Sequence, residues 1–137
     1  MTKICIIDGQ GGGIGSAIIK KVKEVFGESV EIIALGTNAI ATANMLKSRA
    51  NRGASGENAI IQTVKQVDII MGPISILMAN AMMGEVTPSM AEAICSADAE
   101  KLLIPLSQEN IRIAGVSPMP LPHLIDELVL NHLKNQK

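Results

Sequence analysis

Apolar residues fall along this chain in short blocks of two kinds. Lys3-Ile-Cys-Ile-Ile7 is a continuous, largely β-branched run, the signature of a strand covered on both faces, and it favours a parallel sheet. After a glycine-rich stretch, Ile14, Ile18, Ile19, Val22, Val25 and Phe26 recur at helical spacing, while Lys20, Lys21, Lys23 and Glu24 fill the other face and Gly27 suits the C-terminal stop. Val30 to Leu35 then reads as a second strand, which completes a β-α-β unit.

Between that strand and the next, Val67 to Met71, the pattern predicts two helices, over about 38–50 and 57–66. Two helices between parallel strands raise a problem of parity, because two traversals return the chain to the wrong edge. The preferred solution is that the first helix caps the C-terminal edge of the sheet, so that the loop Asn51 to Gly56 hangs over the ligand edge; the alternative is an antiparallel third strand. Helical stretches follow near 75–83 and 89–97, then a fourth strand, Leu102 to Leu106, whose Pro105 belongs at an edge or a strand end. Only Ser107 to Asn110 separates it from Ile111 to Val116, read as a fifth strand, and so short a link makes that strand antiparallel to the fourth. Pro118, Pro120 and Pro122 lead into a last helix with Leu121, Leu124, Ile125, Leu128, Val129 and Leu133 on one face.

Composition narrows the function. The chain has 137 residues, the size of one domain, and residues 1–137 are read as such. With one Phe and no Tyr or Trp, the core must be aliphatic and methionine-rich, and base stacking on aromatic rings has no support. A net charge of -1 gives no footprint for nucleic acid or an anionic membrane, and neither is an expected partner. The greasiest stretch, Ile69 to Met83, is shorter than the roughly 18 apolar residues of a spanning helix and is broken by Gly72, Pro73 and Asn80. Cys5 and Cys95 form no CxxC pair and no secretory leader precedes them, so the expectation is free buried thiols in a cytoplasmic protein.

The chemistry concentrates in Asp8-Gly-Gln-Gly-Gly-Gly-Ile-Gly15, between the first strand and the first helix. Helix N-terminal amides and missing side chains there suit a phosphate, which makes Asp8, Gly9, Gln10, Gly11, Gly12, Gly13, Ile14 and Gly15 the leading candidates. Position 14 is Ile, so the GxGxxG fingerprint fails. Asp8 repels an anion unless it caps the helix, holds a cation or accepts from the ligand. The segments after the other strands should converge on the same crevice, adding Gly36, Thr37 and Asn38, then Gly72, Pro73 and Ser75, with Ser107-Gln108 beyond. Nucleotide-binding folds of this kind place an acid after the second strand to hold ribose hydroxyls; here Thr37 and Asn38 stand there. Under the cap reading, Arg52, with Lys47 and Arg49 nearby, could reach a phosphate, although a solvated basic turn is the plainer reading. Glu57 and Asn58 read as first-turn helix residues, Asn80 and Glu85 as polar interruptions of a methionine-rich segment, and His123 and His132 as ordinary helix residues without metal-type partners. Met71, Met78, Met82, Met83 and Met90 suggest an apolar surface and a homo-oligomer, or else core filling.

Gly9, Gly13 and Gly15 resemble the GxxxGxG spacing of short-chain dehydrogenases over the first two strands, but a chain without Tyr lacks that family's catalytic Tyr and its chemistry is excluded. Together with Ala34 to Ala39, Gly56-Glu-Asn-Ala59, Gly72-Pro-Ile and Gly84 to Pro88, the loop is similar to a family of short bacterial proteins with no assigned activity. That resemblance implies a Rossmann-like architecture, and with the element order read above the expected fold is a three-layer α/β/α sandwich on a mostly parallel sheet of about five strands, the last antiparallel. The leading expectation is a domain that binds a nucleotide or other phosphate-bearing small molecule, NAD(P) among the candidates. A small enzyme, either an oxidoreductase or a magnesium-dependent phosphate-ester activity using Asp8, and a ligand-free structural homo-oligomer are the alternatives.

Overall fold

The computed structural model describes residues 1–107 and 109–134. Five strands form one sheet: β1 (Thr2–Asp8), β2 (Val30–Gly36), β3 (Arg52–Ser55), β4 (Ile69–Pro73) and β5 (Glu100–Ile104), in the order β3-β2-β1-β4-β5. Every pairing is parallel. The helices are α1 (Gly13–Phe26), α2 (Ala39–Lys47), α3 (Glu57–Thr63), α4 (Pro88–Ser96) and α5 (Leu121–Asp126), the last continuing through a wider turn to Leu133.

Both faces of the sheet are covered, as the unbroken apolar runs of β1 and β2 require. Ile4 and Ile6 of β1 point to one side, where Ile18, Ile19 and Val22 of α1, Met45 of α2 and Leu124 and Ile125 of α5 pack. Cys5 and Ile7 point to the other, against Ile60 of α3, Val64, and Met90 and Ile94 of α4. Burial in that layer pushes the Cys5 thiol up to about 12, which keeps it a neutral apolar group. Cys95, expected to be buried, is exposed on α4.

The parity problem has a third solution. The segment expected to loop over the ligand edge holds a short strand, β3, paired with β2 from Ile33↔Arg52 to Gly36↔Ser55. Two helices thus serve two crossovers. α2 carries the chain outward from β2 to β3, and α3 carries it back on the opposite face to β4 beside β1. β3 has no buried residue, being held by its ladder and by Asn51, whose backbone and side chain both bond Ile32 (2.8 Å each). Arg52 forms an ion pair with Glu31 (2.7 Å), toward the start of β2 and away from the C-terminal edge.

The expected antiparallel fifth strand is absent. β5 stops at Ile104, Pro105 removes the next ladder donor, and residues 111–116 leave the sheet as an irregular segment ending in Gly115 with φ 86°. Its side chains line a groove of about 390 Å³ with Ile74, Met78 and Leu124, leaving Ile111, Ile113 and Val116 partly exposed. The helix expected over 75–83 is a single turn (Ile74–Leu77) followed by tight turns in which Asn80, Met82 and Met83 are left-handed. Of the methionines expected to form a surface, Met71, Met82 and Met90 are core residues and Met83 alone is fully exposed. No helix among the described residues is long and apolar enough to cross a membrane.

β4 approaches β1 so closely that a Cβ on Gly72 would stand 2.3 Å from the Ile7 carbonyl oxygen. The Gly72→Ala variant is therefore expected to lose about 2 kcal/mol of stability through forced backbone displacement, read as a lower urea midpoint with an unchanged m-value.

Candidate functional site

In the order β3-β2-β1-β4-β5 the chain changes direction between β1 and β4, and open α/β sheets bind ligands outside the strand ends at such a point. A crevice of about 310 Å³ lies there. It is lined by Asp8 from the end of β1, Gln10 and Ile14 from the glycine loop, Pro73 and Ser75 after β4, Met82, and Leu106, Ser107 and Glu109 after β5. Ser75 is buried, yet its hydroxyl makes no hydrogen bond among the described residues and faces the crevice. Gln108 lies outside the described residues.

Asp8 holds the glycine loop. Its carboxylate accepts from the amides of Gly9 (2.8 Å) and Gly15 (2.7 Å), and the Ile14 amide is turned toward it. The Ile14 and Gly15 amides lie in the first turn of α1 and are among the donors a phosphate was expected to use, so the protein's own carboxylate already occupies that part of the anion site. Burial raises the Asp8 pKa; the amides from Gly15, Gly9 and Ile14 pull it down, and the charge on Glu85 raises it further, leaving a net rise.

The glycines divide accordingly. A Cβ on Gly15 would meet Met45 and Asp8, and one on Gly9 would meet Thr37, Met82 and Glu85, all within 3.0 Å. Gly12, at φ 73°, packs on the Ala41 carbonyl. These three are explained by the close fit of α1 on the sheet. Gly11 and Gly13 meet nothing within 4 Å, and their amides take no partner among the described residues. Gly36 and Gly72 are likewise packing glycines, against Thr42 and Ile7.

Thr37 and Asn38 do reach this edge, but they face a residue that the sequence reading left as a polar interruption. Glu85 Oε1 accepts from the Gln10 amide (2.8 Å), the Thr37 hydroxyl (2.7 Å) and the Asn38 side-chain amide (2.9 Å). Asn38 also caps α2 through Ala41 and donates to the Gln10 carbonyl, and Asn44 donates to the Gly11 carbonyl. Burial acts to raise the Glu85 pKa, but the hydrogen bonds from Thr37, Gln10 and Asn38 outweigh it and hold Glu85 below the usual carboxylate range. No local motif announces Glu85; only the left-handed turn at Met82 to Gly84 carries it across to the loop. No Lys, Arg or His lines the crevice, and no group of three His, Cys, Asp or Glu side chains among the described residues is placed to hold a metal ion.

Two predictions follow from this geometry. Gly15→Ala should destabilise the fold, whereas Gly13→Ala should leave the thermal midpoint within about 2 °C, since open space surrounds that position. The two carboxylates should act oppositely with pH. Glu85, with a lowered folded pKa, contributes stability above the ordinary value of 4.5 that is lost as pH falls through its folded pKa. Asp8, with a raised folded pKa, favours the fold most below 3.8 and loses that contribution as pH rises through its folded pKa. Urea titrations from acid to neutral pH should show the advantage of wild type over Glu85→Gln growing with pH and its advantage over Asp8→Asn shrinking.

A dodecameric FMN-dependent Ubix-like decarboxylase from Escherichia coli O157:H7 is similar at 12% identity and a TM-score of 0.48, over 99% of this chain and 94% of that one. A candidate epimerase from Bacteroides thetaiotaomicron is similar at 18% identity and a TM-score of 0.43, over 99% of this chain and 66% of that one. No curated protein sequence matches. The sequence profile of the Domain of unknown function (DUF3842) matches residues 3–137, and the chain belongs to that family.

Proposed function

We propose that this protein binds a nucleoside-type small molecule, a polar heterocycle carrying a sugar and at most one phosphate, in the crevice at the β1/β4 switch point. The observation that carries the proposal is the crevice itself. It is about 310 Å³, in the size range of small-molecule sites, and it joins the glycine loop to the ends of three strands. Its polar lining consists of Ser75, Ser107, Gln10, Asp8 and Glu109. Such a lining suits hydroxyl and amino donors on the ligand.

The limit on phosphate is electrostatic. Gly11 and Gly13 offer two open amides, and hydrogen bonds to a charged group are worth about 1.5–3 kcal/mol each. Against them stand Asp8 and Glu109 in the lining and Glu85 beside the loop, with no cation among the described lining residues. A like charge at about 6 Å and an effective dielectric of about 20 costs roughly 3 kcal/mol. The two amides return about 3–6 kcal/mol against about 9 from three such carboxylates, so even one phosphate at the loop tip is disfavoured, and each further phosphate adds charge without adding donors. This reading keeps Asp8, Gln10, Ile14, Pro73 and Ser75 as ligand contacts and Gly11 and Gly13 as the phosphate rest, and assigns Gly9, Gly12, Gly15, Gly36 and Gly72 to packing.

Isothermal titration with the four ribonucleosides and their mono- and triphosphates tests it. At least one nucleoside or monophosphate should bind, with its triphosphate about tenfold weaker or worse, and Ser75→Val should weaken binding without unfolding the chain. Failure of the whole series to bind, or tightest binding by a triphosphate, would overturn the proposal.

A further inference from the structure

The end of β2 lacks the acidic residue that sugar-reading folds of this strand order place there, yet a carboxylate stands at that position in space. Glu85 is delivered to Thr37 and Asn38 from the turns that follow β4, 47 and more residues along the chain. Its Oε1 is saturated by the Gln10 amide, the Thr37 hydroxyl and the Asn38 side-chain amide, at 2.7 to 2.9 Å, which fixes the plane of the carboxylate. Its Oε2 makes no hydrogen bond among the described residues. We infer that Glu85 determines specificity for a vicinal diol, its Oε2 accepting the paired hydroxyls of a ribose.

This inference rests on the nucleoside reading above and deepens it. Three features of the chain support it. Donors on Oε1 from two separate loops preorganise the acceptor, so little freedom is lost when a hydroxyl arrives. The carboxylate is held ionised, the form that only accepts, which is what a diol needs from its partner. The backbone bears a cost to place it, since Met82 at φ 58° and Met83 at φ 57° are left-handed residues with full side chains. That turn is closed by Asn80 N to Val86 O (2.7 Å) and Val86 N to Ala81 O (3.1 Å), and Ala81 and Val86 are buried beneath it. A surface turn with no task could relax to a right-handed form.

Binding of each ribonucleoside is compared with that of its dideoxy counterpart, by isothermal titration on wild type and on Glu85→Gln. The expected result is that the dideoxy compounds bind wild type about tenfold more weakly, the scale of one hydrogen bond to a charged group, and that this difference vanishes in Glu85→Gln. Equal binding of ribose and dideoxy compounds to wild type overturns the role of Glu85 while leaving the crevice reading standing. Absence of binding by any of them overturns both. Should Glu85→Gln fail to fold, Thr37→Val, which removes a donor that positions Oε1, takes its place and should shrink the same difference, while equal binding to wild type still overturns the role.

Discussion

The carboxylate of Asp8 ties the last residue of the first strand to the first turn of the first helix, and the C-terminal edge of the sheet takes its shape from that tie. The bonds to Gly9 and Gly15 close the loop around the carboxylate. Once closed, the loop presents its carbonyls at Gln10 and Gly11 to Asn38 and Asn44, and its Gln10 amide to Glu85. A glycine-rich turn is usually justified by what it leaves room for. Here most of the room is taken by the protein: Asp8 inside the loop, Met45 behind Gly15, and Thr37, Met82 and Glu85 over Gly9.

How far this was legible in the sequence depended on whether the signal was local. The apolar runs at Ile4 to Ile7 and Val30 to Leu35 are buried on both faces, so strands β1 and β2 were plain, and helices with an apolar stripe, α1 and α5, followed from their spacing. β3 was hidden because Arg52-Gly-Ala-Ser55 buries nothing; its existence depends on the β2 edge being open to it, a fact of the assembled sheet. Residues 111–116 mislead in the opposite way. Ile111 and Ile113 alternate as a strand would, but Pro105 ends the ladder and turns the chain away from β5, so the alternation serves a groove. At the site, Asp8, Gln10 and Ile14 were named from the glycine loop at a helix start, and Pro73 and Ser75 from the rule that strand ends converge. Glu85 and Glu109 were not, because each reaches the edge from an irregular segment whose path is set by turns and not by periodicity.

The charge of that edge changes which ligand the loop can serve. A glycine loop at a helix N-terminus argues for phosphate when its surroundings are neutral or basic, since the amides and dipole then act without opposition. This edge holds Asp8, Glu85 and Glu109 with no cation in the crevice. The three are not equivalent. Burial raises the Asp8 pKa and the Glu85 charge raises it further, whereas hydrogen-bond donors hold the Glu85 pKa below the usual carboxylate range. A ligand that donates hydrogen bonds eases both environments; one that brings negative charge worsens both.

That asymmetry also bears on the enzymatic alternative. A carboxyl group with a raised pKa at the wall of a crevice is the form in which a general acid is found, and Asp8 has that form. Its two oxygens, however, are each committed to a backbone amide that the loop needs in order to close. A proton on Asp8 removes the negative charge that both loop amides bond to and so weakens its hold on Gly9 and on Gly15 in the first turn of α1. The bond that organises the site therefore opposes proton transfer by the same residue. A binding domain that recognises hydroxyl groups asks nothing of Asp8 beyond what it already does.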